Sequence, residues 1–299
     1  MTTEPIAFSN DDLPALFQSA DLCSFKGRRR RRFFFVGFLV CDLIAATCAS
    51  IESHPIWISL SCVIFLALGL LGTVLLLQES PEKSWYGGRA LAESVKTLAW
   101  RYMMCAEPFV HGLPDTEADR TLVRELRALL NVDQNLIGGL ELQDPRGQQI
   151  TRKMRMVRDL GVADRKAIYL RFRLRDQKQW YANKGKWARK WLGRCRWALF
   201  IVQLGLVLDA LSAIVWPHQY FAPVGALSTL AASVVAWQQL NEFGGLAAAY
   251  NLAAHELTGL EIVLELANTD RELEEFVLNA ERAVSREHTL WRARRTENA

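Results

Sequence analysis

Two long stretches of this 299-residue chain contain no lysine and no arginine. The first runs from residue 33 to residue 82 and the second from residue 197 to residue 270, although the whole chain holds 36 basic residues. Because a soluble domain carries charged residues along all of its segments, this distribution argues against a single soluble globule. The apolar content of 51% excludes a disordered chain, and six Cys are too few for a secreted disulfide scaffold.

Four apolar runs of 18 to 23 residues lie inside these stretches. A helix needs about 20 apolar residues to cross a hydrocarbon core of about 30 Å, so each run is long enough to span a membrane. Only residues 52–55 separate the first two runs, and only residues 217–220 separate the last two. For the fourth and shortest run, a buried core helix is the alternative. We predict an all-α membrane protein with two tandem transmembrane helical hairpins and long cytoplasmic helices, its four spans lying at residues 33–51, 56–78, 198–216 and 221–238.

Basic residues flank the predicted spans on one side only. Five arginines at residues 28–32 precede the first span, Lys83 and Arg89 follow the second, and six Lys and Arg between residues 184 and 196 precede the third. Since Lys and Arg near a membrane helix are retained on the cytoplasmic side, we expect both termini in the cytoplasm and both hairpin loops outside. A cleavable signal peptide is not expected, because a polar stretch of about 25 residues precedes the arginines.

Each half of the chain carries one acidic residue near the middle of its first predicted span. Residues 38–46 (FLVCDLIAA) align with residues 205–213 (GLVLDALSA), so that Asp42 and Asp209 coincide. A carboxylate at mid-bilayer costs roughly 2.5–3.5 kcal/mol, and by default it faces a water-filled path or is paired inside the helix bundle. Asp42 and Asp209 are therefore candidates for the lining of a cation-favouring pore. In the alternative they accept hydrogen bonds from hydroxyl groups of neighbouring spans, such as those of Ser59, Ser61, Ser228, Thr229 and Ser233.

Small residues mark the fourth predicted span, among them Gly225, Ser228 and Ser233. Small side chains permit close contact between helices in lipid, where no hydrophobic effect drives helices together. We expect this span to present a packing face, and these three residues are the candidates for helix packing or gating.

Apolar residues recur at three- and four-residue steps after each hairpin. They run from Phe243 to Ala267 after the second hairpin and from Leu91 to Phe109 after the first. This spacing predicts coiled-coil seams, which fit packing within one chain and association into a homo-oligomer equally well. Thr269 and Glu272 then predict a capping box at the start of one further short helix.

A basic and aromatic segment at residues 169–196 leads into the third predicted span. The first interpretation is an amphipathic helix at the headgroups of anionic lipid, because the segment runs directly into a span. A surface for an anionic nucleotide is the second, since aromatic rings and arginines also bind such ligands, and ordinary helix packing is the third. Nucleic acid is not expected as a partner.

Three motifs resemble the patterns of a known family: DLPALFQSAD at residues 12–21, WYGGRALAESVKTLAWRY at residues 85–102 and YLRFRLRDQKQWYANK at residues 169–184. They are similar to the SLATT family, bacterial membrane domains named for their association with SMODS nucleotidyltransferases and SLOG sensors. The resemblance places one unit at residues 11–109 and a second at residues 165–268. Cytoplasmic linker helices at residues 110–164 would join them, and a C-terminal cytoplasmic helix and tail would occupy residues 269–299.

The resemblance implies an oligomeric pore-forming or channel effector of the bacterial inner membrane. Such an effector acts in an antiphage or conflict system when a nucleotide second messenger or a sensor protein triggers it. The alternative is a non-conducting membrane scaffold that recruits a cytosolic partner through its coiled-coil helices. The candidates for coupling the cytoplasmic helices to opening are Arg89, Glu93, Lys96, Arg175, Asp176, Trp180 and Tyr181.

The sequence carries no catalytic motif. Its five His are scattered, and it has no phosphate-binding loop, dinucleotide fingerprint, nucleophile elbow or Cys-x-x-Cys pair. We therefore expect no enzymatic activity, no metal ion and no cofactor.

Overall fold

The computed structural model describes residues 7–51, 55–132, 138–142, 147–215 and 223–282. These residues are helical or lie in turns and connections, and they form no β-strand. The loop at residues 217–220, most of the loop at residues 52–55, the adjoining ends of the third and fourth predicted spans, and the tail beyond residue 282 lie outside the described residues.

The chain folds into a series of helices, several of them longer than 20 residues. A six-residue π-helical segment, which we call the wide turn, covers Leu170–Arg175. It joins the helix Val162–Tyr169 to the helix Asp176–Val215. The last described helix, α10, starts after Thr269, and Thr269 and Glu272 form the predicted capping box: each side chain accepts the backbone N–H of the other residue, at 3.0 and 3.2 Å. The helices are α1 (Ala15–Ala49), α2 (Ile56–Glu79), α3 (Pro81–Met103), α4 (Asp115–Val132), α5 (Arg152–Arg158), α6 (Val162–Tyr169), α7 (Asp176–Val215), α8 (Val224–Asn241), α9 (Phe243–Leu266) and α10 (residues 270–282).

Three helical stretches are long and apolar enough to cross a membrane: α1, α2 and the continuous stretch Val162–Val215. The prediction of an all-α membrane protein is thus confirmed. The fourth predicted span corresponds to α8, an 18-residue helix that ends in the polar sequence Gln-Gln-Leu-Asn. This helix is not among the three candidates, and a fourth crossing stays a prediction.

The lead-in segments and the spans that follow them form unbroken helices. The five arginines at residues 28–32 lie in the middle of α1, and the basic segment before the third span continues into the 54-residue stretch Val162–Val215. Neither stretch contains a proline, so nothing in the sequence interrupts the helical hydrogen bonds. The same helices therefore carry both the basic and the apolar segments.

The chain divides into two compact units. The bundle unit comprises Met1–Arg28, Pro81–Trp180 and Ala253–Ala299, and the apolar unit comprises Arg29–Ser80 and Tyr181–Leu252. Each unit takes residues from both halves of the chain, so the units are not the two tandem repeats. The predicted boundaries of the repeats stay a prediction.

The bundle unit has an apolar core built largely from the two predicted seams. In α3, Val95 and Tyr102 are fully buried, and in α9 Leu264 is fully buried. Leu273 and Val277 of α10 are equally inaccessible. Burial of the seam residues within a single chain accounts for their spacing without a second copy.

In the apolar unit, large apolar side chains are exposed along whole helices. In α2 they include Leu60, Val63 and Leu70, and in α7 they include Phe200 and Ile201, all more than half exposed. A soluble protein rarely exposes so large a contiguous apolar surface, whereas hydrocarbon tails solvate it without cost. The exposed apolar faces of α2 and α7 accordingly fit helices long and apolar enough to cross a membrane.

Two glycines bring the backbones of α1 and α3 into direct contact within the bundle unit. A Cβ atom on Gly88 would lie 2.8 Å from the backbone nitrogen of Ser24 and 2.9 Å from the carbonyl oxygen of Ala20. On the other helix, a Cβ on Gly27 would lie 2.7 Å from the nitrogen of Trp85. Any other residue at either position would push the two helices apart.

We expect Gly88→Ala to destabilise the bundle unit by about 1–3 kcal/mol, because the added methyl group meets backbone atoms that cannot rotate away. The measurement is the thermal unfolding midpoint of the full chain in detergent. Gly259→Ala in α9 is the control: no atom lies within 4 Å of its Cβ position, so the variant should gain about 0.5–1 kcal/mol from helix propensity. Equal midpoints for the two variants would contradict the close contact.

Candidate functional site

The wide turn places one arginine in the interior of the bundle unit. A π-helical segment has more residues per turn than an α-helix, so it shifts which side chains face inwards, and such segments are frequent at functional sites. Arg173 lies at the centre of this segment and is 2% exposed, while Arg171 and Arg175 on either side of it are exposed. The sequence RFRLR by itself does not indicate which of its arginines is buried.

Glu281 of α10 is the counter-charge of Arg173. The Arg173 side chain donates from Nε to Oε1 of Glu281 at 2.8 Å and from Nη2 to Oε2 at 2.6 Å. The Tyr169 hydroxyl donates to Oε1, and the Thr97 hydroxyl donates to Oε2, each at 2.9 Å. Glu281 is completely buried, so four charge-assisted hydrogen bonds replace the water that the carboxylate would otherwise bind. The pair joins α3, α6, the wide turn and α10.

Burial perturbs the ionisable groups beside this pair. It raises the pKa of Tyr169 well above its usual range, and the Glu281 carboxylate raises it further, so the phenol stays protonated as a donor. Burial also lowers the pKa of Lys96, and the positive charge of Arg173 lowers it further. The Lys96 ammonium donates to Oδ1 of Asn10 at 3.2 Å and lies 5.9 Å from the ring of Phe17.

Four of the seven predicted coupling residues come together in this region. Nη2 of Arg89 lies 2.5 Å from Oε1 of Glu93, and the Arg89 guanidinium lies 5.5 Å from the centre of the Trp180 ring. Glu93 is close enough to Lys96 to raise the pKa of that amine and so offset part of its lowering. The contact between Arg89 and Trp180 joins the motif that follows the first hairpin to the motif that precedes the second.

The other three predicted coupling residues lie elsewhere. Arg175 and Asp176 are exposed on the bundle unit. Tyr181 is buried in the apolar unit, where its ring lies 5.8 Å from that of Tyr250. A shared coupling role for all seven residues stays a prediction.

Two further buried arginines were not singled out by the sequence analysis. Nη1 of Arg158 donates to the carbonyl oxygens of Tyr102 and Phe109, each at 2.9 Å. Nη1 of Arg165 donates to the carbonyl oxygen of Met104 at 2.9 Å, and its Nη2 pairs with Asp270. The last carbonyls of a helix have no partner within the helix, and these arginines supply partners where α3 ends inside the core. Both lie in or beside the segment that the sequence indicated only as a linker.

In the apolar unit, Asp42 faces α2 at a glycine. Its Oδ1 atom lies 3.2 Å from the position that a Cβ would take on Gly69. Within the part of the chain that the structure describes, no hydrogen bond or ion pair reaches the Asp42 carboxylate. Asp209 of α7 is half-buried, and its backbone carbonyl accepts the Ser212 hydroxyl at 2.8 Å.

Three of the hydroxyl groups that could donate to Asp42 or Asp209 in the alternative to a pore instead donate to carbonyl oxygens of their own helices. The Ser61 hydroxyl donates to the carbonyl oxygen of Trp57 at 2.8 Å. Those of Thr229 and Ser233 donate to the carbonyls of Gly225 and Thr229, at 2.9 and 2.8 Å. Because a hydroxyl has one proton to donate, these three groups are not available to donate to Asp42. The alternative in which hydroxyls of neighbouring spans bond to the two acids stays a prediction.

The three packing candidates of the fourth predicted span differ in their surroundings. Gly225 approaches the end of α1, where its Cβ position lies 3.5 Å from the Ser50 hydroxyl oxygen. Ser233 is half-buried and Ser228 is exposed. The role of these three residues in helix packing or gating stays a prediction.

The aromatic residues of the basic lead-in serve helix packing in the apolar unit. The rings of Trp187 and Trp191 lie 5.6 and 6.2 Å from that of Phe243, and the Arg194 guanidinium lies 4.9 Å from the Trp191 ring. Trp197, at the start of the apolar segment, is instead 68% exposed. Helix packing thus explains two of the tryptophans, and Trp197 is placed as an interfacial residue would be.

Comparison with known proteins finds two family matches. The model described as SMODS and SLOG-associating 2TM effector domain 3 matches residues 14–166, and the one described as SMODS and SLOG-associating 2TM effector domain 1 matches residues 169–291. Together they confirm the two tandem units inferred from the motifs. The first match includes α4 and α5, in the segment predicted as linker helices. No curated protein and no solved structure matches the chain.

We expect Glu281→Gln to destabilise the bundle unit by about 3–5 kcal/mol, because it leaves the buried Arg173 charge without a counter-charge. The thermal unfolding midpoint of the full chain in detergent measures this. The double variant Arg173→Met with Glu281→Leu should recover much of the loss, since it removes both charges. Glu275→Gln breaks the exposed pair with Arg271, and this control should leave the midpoint unchanged. A midpoint unchanged by Glu281→Gln would contradict a structural role for the pair.

Proposed function

Because the chain belongs to the SMODS and SLOG-associating 2TM effector family, as two tandem domains, we propose that it is an oligomeric pore-forming effector of the bacterial inner membrane. Domains of this family are associated with conflict and antiphage systems, and the chain is accordingly a membrane effector. The proposal adds that the effector acts by conducting ions.

The Asp42 carboxylate is the observation that carries this proposal. It lies in an apolar helix against Gly69, in a unit whose outer faces are apolar, and no described residue hydrogen-bonds to it. An ionised carboxylate in such surroundings is stable only when water or an opposite charge reaches it. In an oligomer, acids from several copies would meet around a water-filled path and favour cations.

The proposed gate is the buried ion pair of Arg173 and Glu281 in the bundle unit, which we call the charge cluster. Helices α1 and α7 each supply residues to both units, so a change in the bundle unit alters helices that also form the apolar unit. Glu281 of α10 fixes the wide turn, and withdrawal of this carboxylate would leave Arg173 buried and uncompensated. In this proposal the wide turn would then take a second arrangement, as a switch requires. A nucleotide signal or a sensor protein that binds the bundle unit would choose between the two arrangements.

The proposed orientation follows from the basic residues. The arginines at residues 28–32 and the basic part of α7 would hold the bundle unit and both termini in the cytoplasm. Anionic headgroups would contact these residues where the helices enter the bilayer.

A scaffold that recruits its partner through free coiled-coil seams has less support. Leu91, Val95, Leu257 and Leu264 are buried within the chain, so these parts of the seams are not available to a partner without rearrangement. A scaffold would therefore need a different docking surface.

We expect the double variant Asp42→Asn with Asp209→Asn to lower the preference for cations over anions several-fold, because it removes both intramembrane charges while keeping side-chain size. The measurement is the reversal potential of the full chain in planar bilayers under a potassium chloride gradient. Asp164→Asn, at an exposed residue of α6, is the matched control and should conduct as the parent does.

Unchanged selectivity in the double variant would contradict the acidic pore lining. The pore proposal is also contradicted if the full chain neither conducts in bilayers nor depolarises cells that express it, yet still binds a cytosolic partner. Such a result would favour the non-conducting scaffold.

A further inference from the structure

A groove on the outer side of α4 is not used by any feature described above. Its volume is about 700 Å³, which falls in the range of small-molecule sites. Three arginines of α4 and one of α5 line it: Arg120, Arg124, Arg127 and Arg155. The apolar side chains of Val123, Ala128 and Ile150 complete much of its wall. The groove thus combines a cationic rim with an apolar wall.

The spacing of the three α4 arginines places them on one exposed face. They follow one another at steps of four and three residues, and the buried face of the helix is formed by Leu122 and Leu126. With a rise of 1.5 Å per residue, the first and last arginine are about 10 Å apart along the helix. Their guanidinium groups therefore form a row that a single ligand is able to contact.

Few ion pairs within the described part of the chain engage this row, although Asp119, which pairs with Arg155, also lines the groove. Among the described residues, no carboxylate lies within ion-pair distance of Arg120 or Arg127. Arg124 has only the adjacent Glu125, whose Oε1 lies 3.9 Å from Nε in an exposed pair that contributes little. Three positive charges repel one another along one helix face, and this arrangement gains stability when an anion binds.

The chemistry of the row indicates phosphate. A guanidinium presents a planar fork of donors that matches phosphate oxygens, and several forks in a row match several phosphate groups. A lipid surface fits less well: no described side chain of α4 is an exposed large apolar residue that would insert among acyl chains, and α4 begins with Asp115 and Glu117.

We propose that the α4 groove binds a soluble anion with at least two phosphate groups and an apolar ring system, the chemistry of a nucleoside polyphosphate or a short oligonucleotide. The phosphates contact Arg120, Arg124 and Arg127, and the ring system lies against the apolar wall. This site deepens the nucleotide trigger of the proposed function, on which its regulatory role rests, and it is separate from Arg173. Ligand binding there does not depend on whether the protein conducts ions, so failure of one leaves the other testable.

Asp119 connects the groove to the core of the bundle unit. Its Oδ2 accepts two hydrogen bonds from Arg155, at 3.2 Å from Nε and 2.9 Å from Nη2. Its Oδ1 accepts the hydroxyl of the fully buried Tyr102 of α3 at 2.6 Å. A bound phosphate would compete with the Asp119 carboxylate for Arg155, and the negative charges of phosphate and carboxylate would repel each other. Occupation of the groove therefore acts on a residue that also holds α3.

The test is a calorimetric titration of the full chain in detergent with ATP, tripolyphosphate and AMP at two salt concentrations. We expect ATP to bind more tightly than AMP and more weakly at high salt. The variant Arg120→Gln, Arg124→Gln, Arg127→Gln should weaken ATP binding at least about tenfold, because it removes charge-assisted hydrogen bonds. The control Lys83→Gln, Arg171→Gln, Arg271→Gln removes three exposed positive charges elsewhere on the bundle unit and should bind ATP as the parent does.

Asp119→Asn should have the opposite effect and tighten ATP binding several-fold, because it removes a repulsive charge and weakens the hold on Arg155. A variant that merely loosened the fold would not bind more tightly. Tighter ATP binding by Asp119→Asn would therefore indicate a ligand site, whereas weaker binding would indicate that Asp119 only stabilises the fold.

Three results would overturn the proposal. The first is ATP and tripolyphosphate binding that the groove variant leaves unchanged. The second is an equal loss of binding in the control variant, which would reveal a response to net charge alone. The third is binding to phosphatidylglycerol vesicles that only the groove variant loses, with no binding of the soluble phosphates, which would assign the row to lipid.

Discussion

The bundle unit is organised around the buried carboxylate of Glu281. A buried negative charge costs much free energy unless its oxygens accept hydrogen bonds. Glu281 receives its four hydrogen bonds from three different parts of the chain, and only when all of them are in place is a negative charge tolerable without water. The requirement is mutual, because Arg173 is as inaccessible as its partner. The positions of α3, α6, the wide turn and α10 are therefore fixed together, and apolar packing alone would not determine them so narrowly.

The two units share helices but place their apolar side chains differently. In the bundle unit the apolar side chains of the seams point into a core, and arginines such as Arg158 and Arg165 are used inside it to satisfy carbonyl groups. In the apolar unit the large side chains of α2 point outwards and the polar atoms turn to their own backbone, as the Ser61 and Ser233 hydroxyls do. Asp42 differs, because no hydrogen bond from a described residue reaches its carboxylate.

Much of this architecture follows from the sequence, since long windows without Lys or Arg and seams at three- and four-residue steps leave few alternatives to helices. The windows without Lys or Arg indicated α1, α2 and the apolar part of α7, and the seams indicated the buried faces of α3 and α9. The fourth span was harder to judge, because α8 mixes small and polar residues with apolar ones in a length that barely suffices.

The buried cluster could be predicted only in part. Its motif residues Arg89, Glu93 and Lys96 were recognised, but Arg173 lies among several arginines. Its partner Glu281 is more than 100 residues away in α10, of which the sequence indicated only the capping box at the start.

The reciprocal glycine contact limits how α1 is able to move. Gly27 of α1 lies against the α3 backbone, and Gly88 of α3 lies against the α1 backbone, at separations that no side chain would permit. Turning α1 about its own axis would bring Cβ-bearing residues into those two gaps and force the helices apart. The pair of glycines thus fixes the face that α1 turns towards α3 and opposes rotation of the helix about its axis.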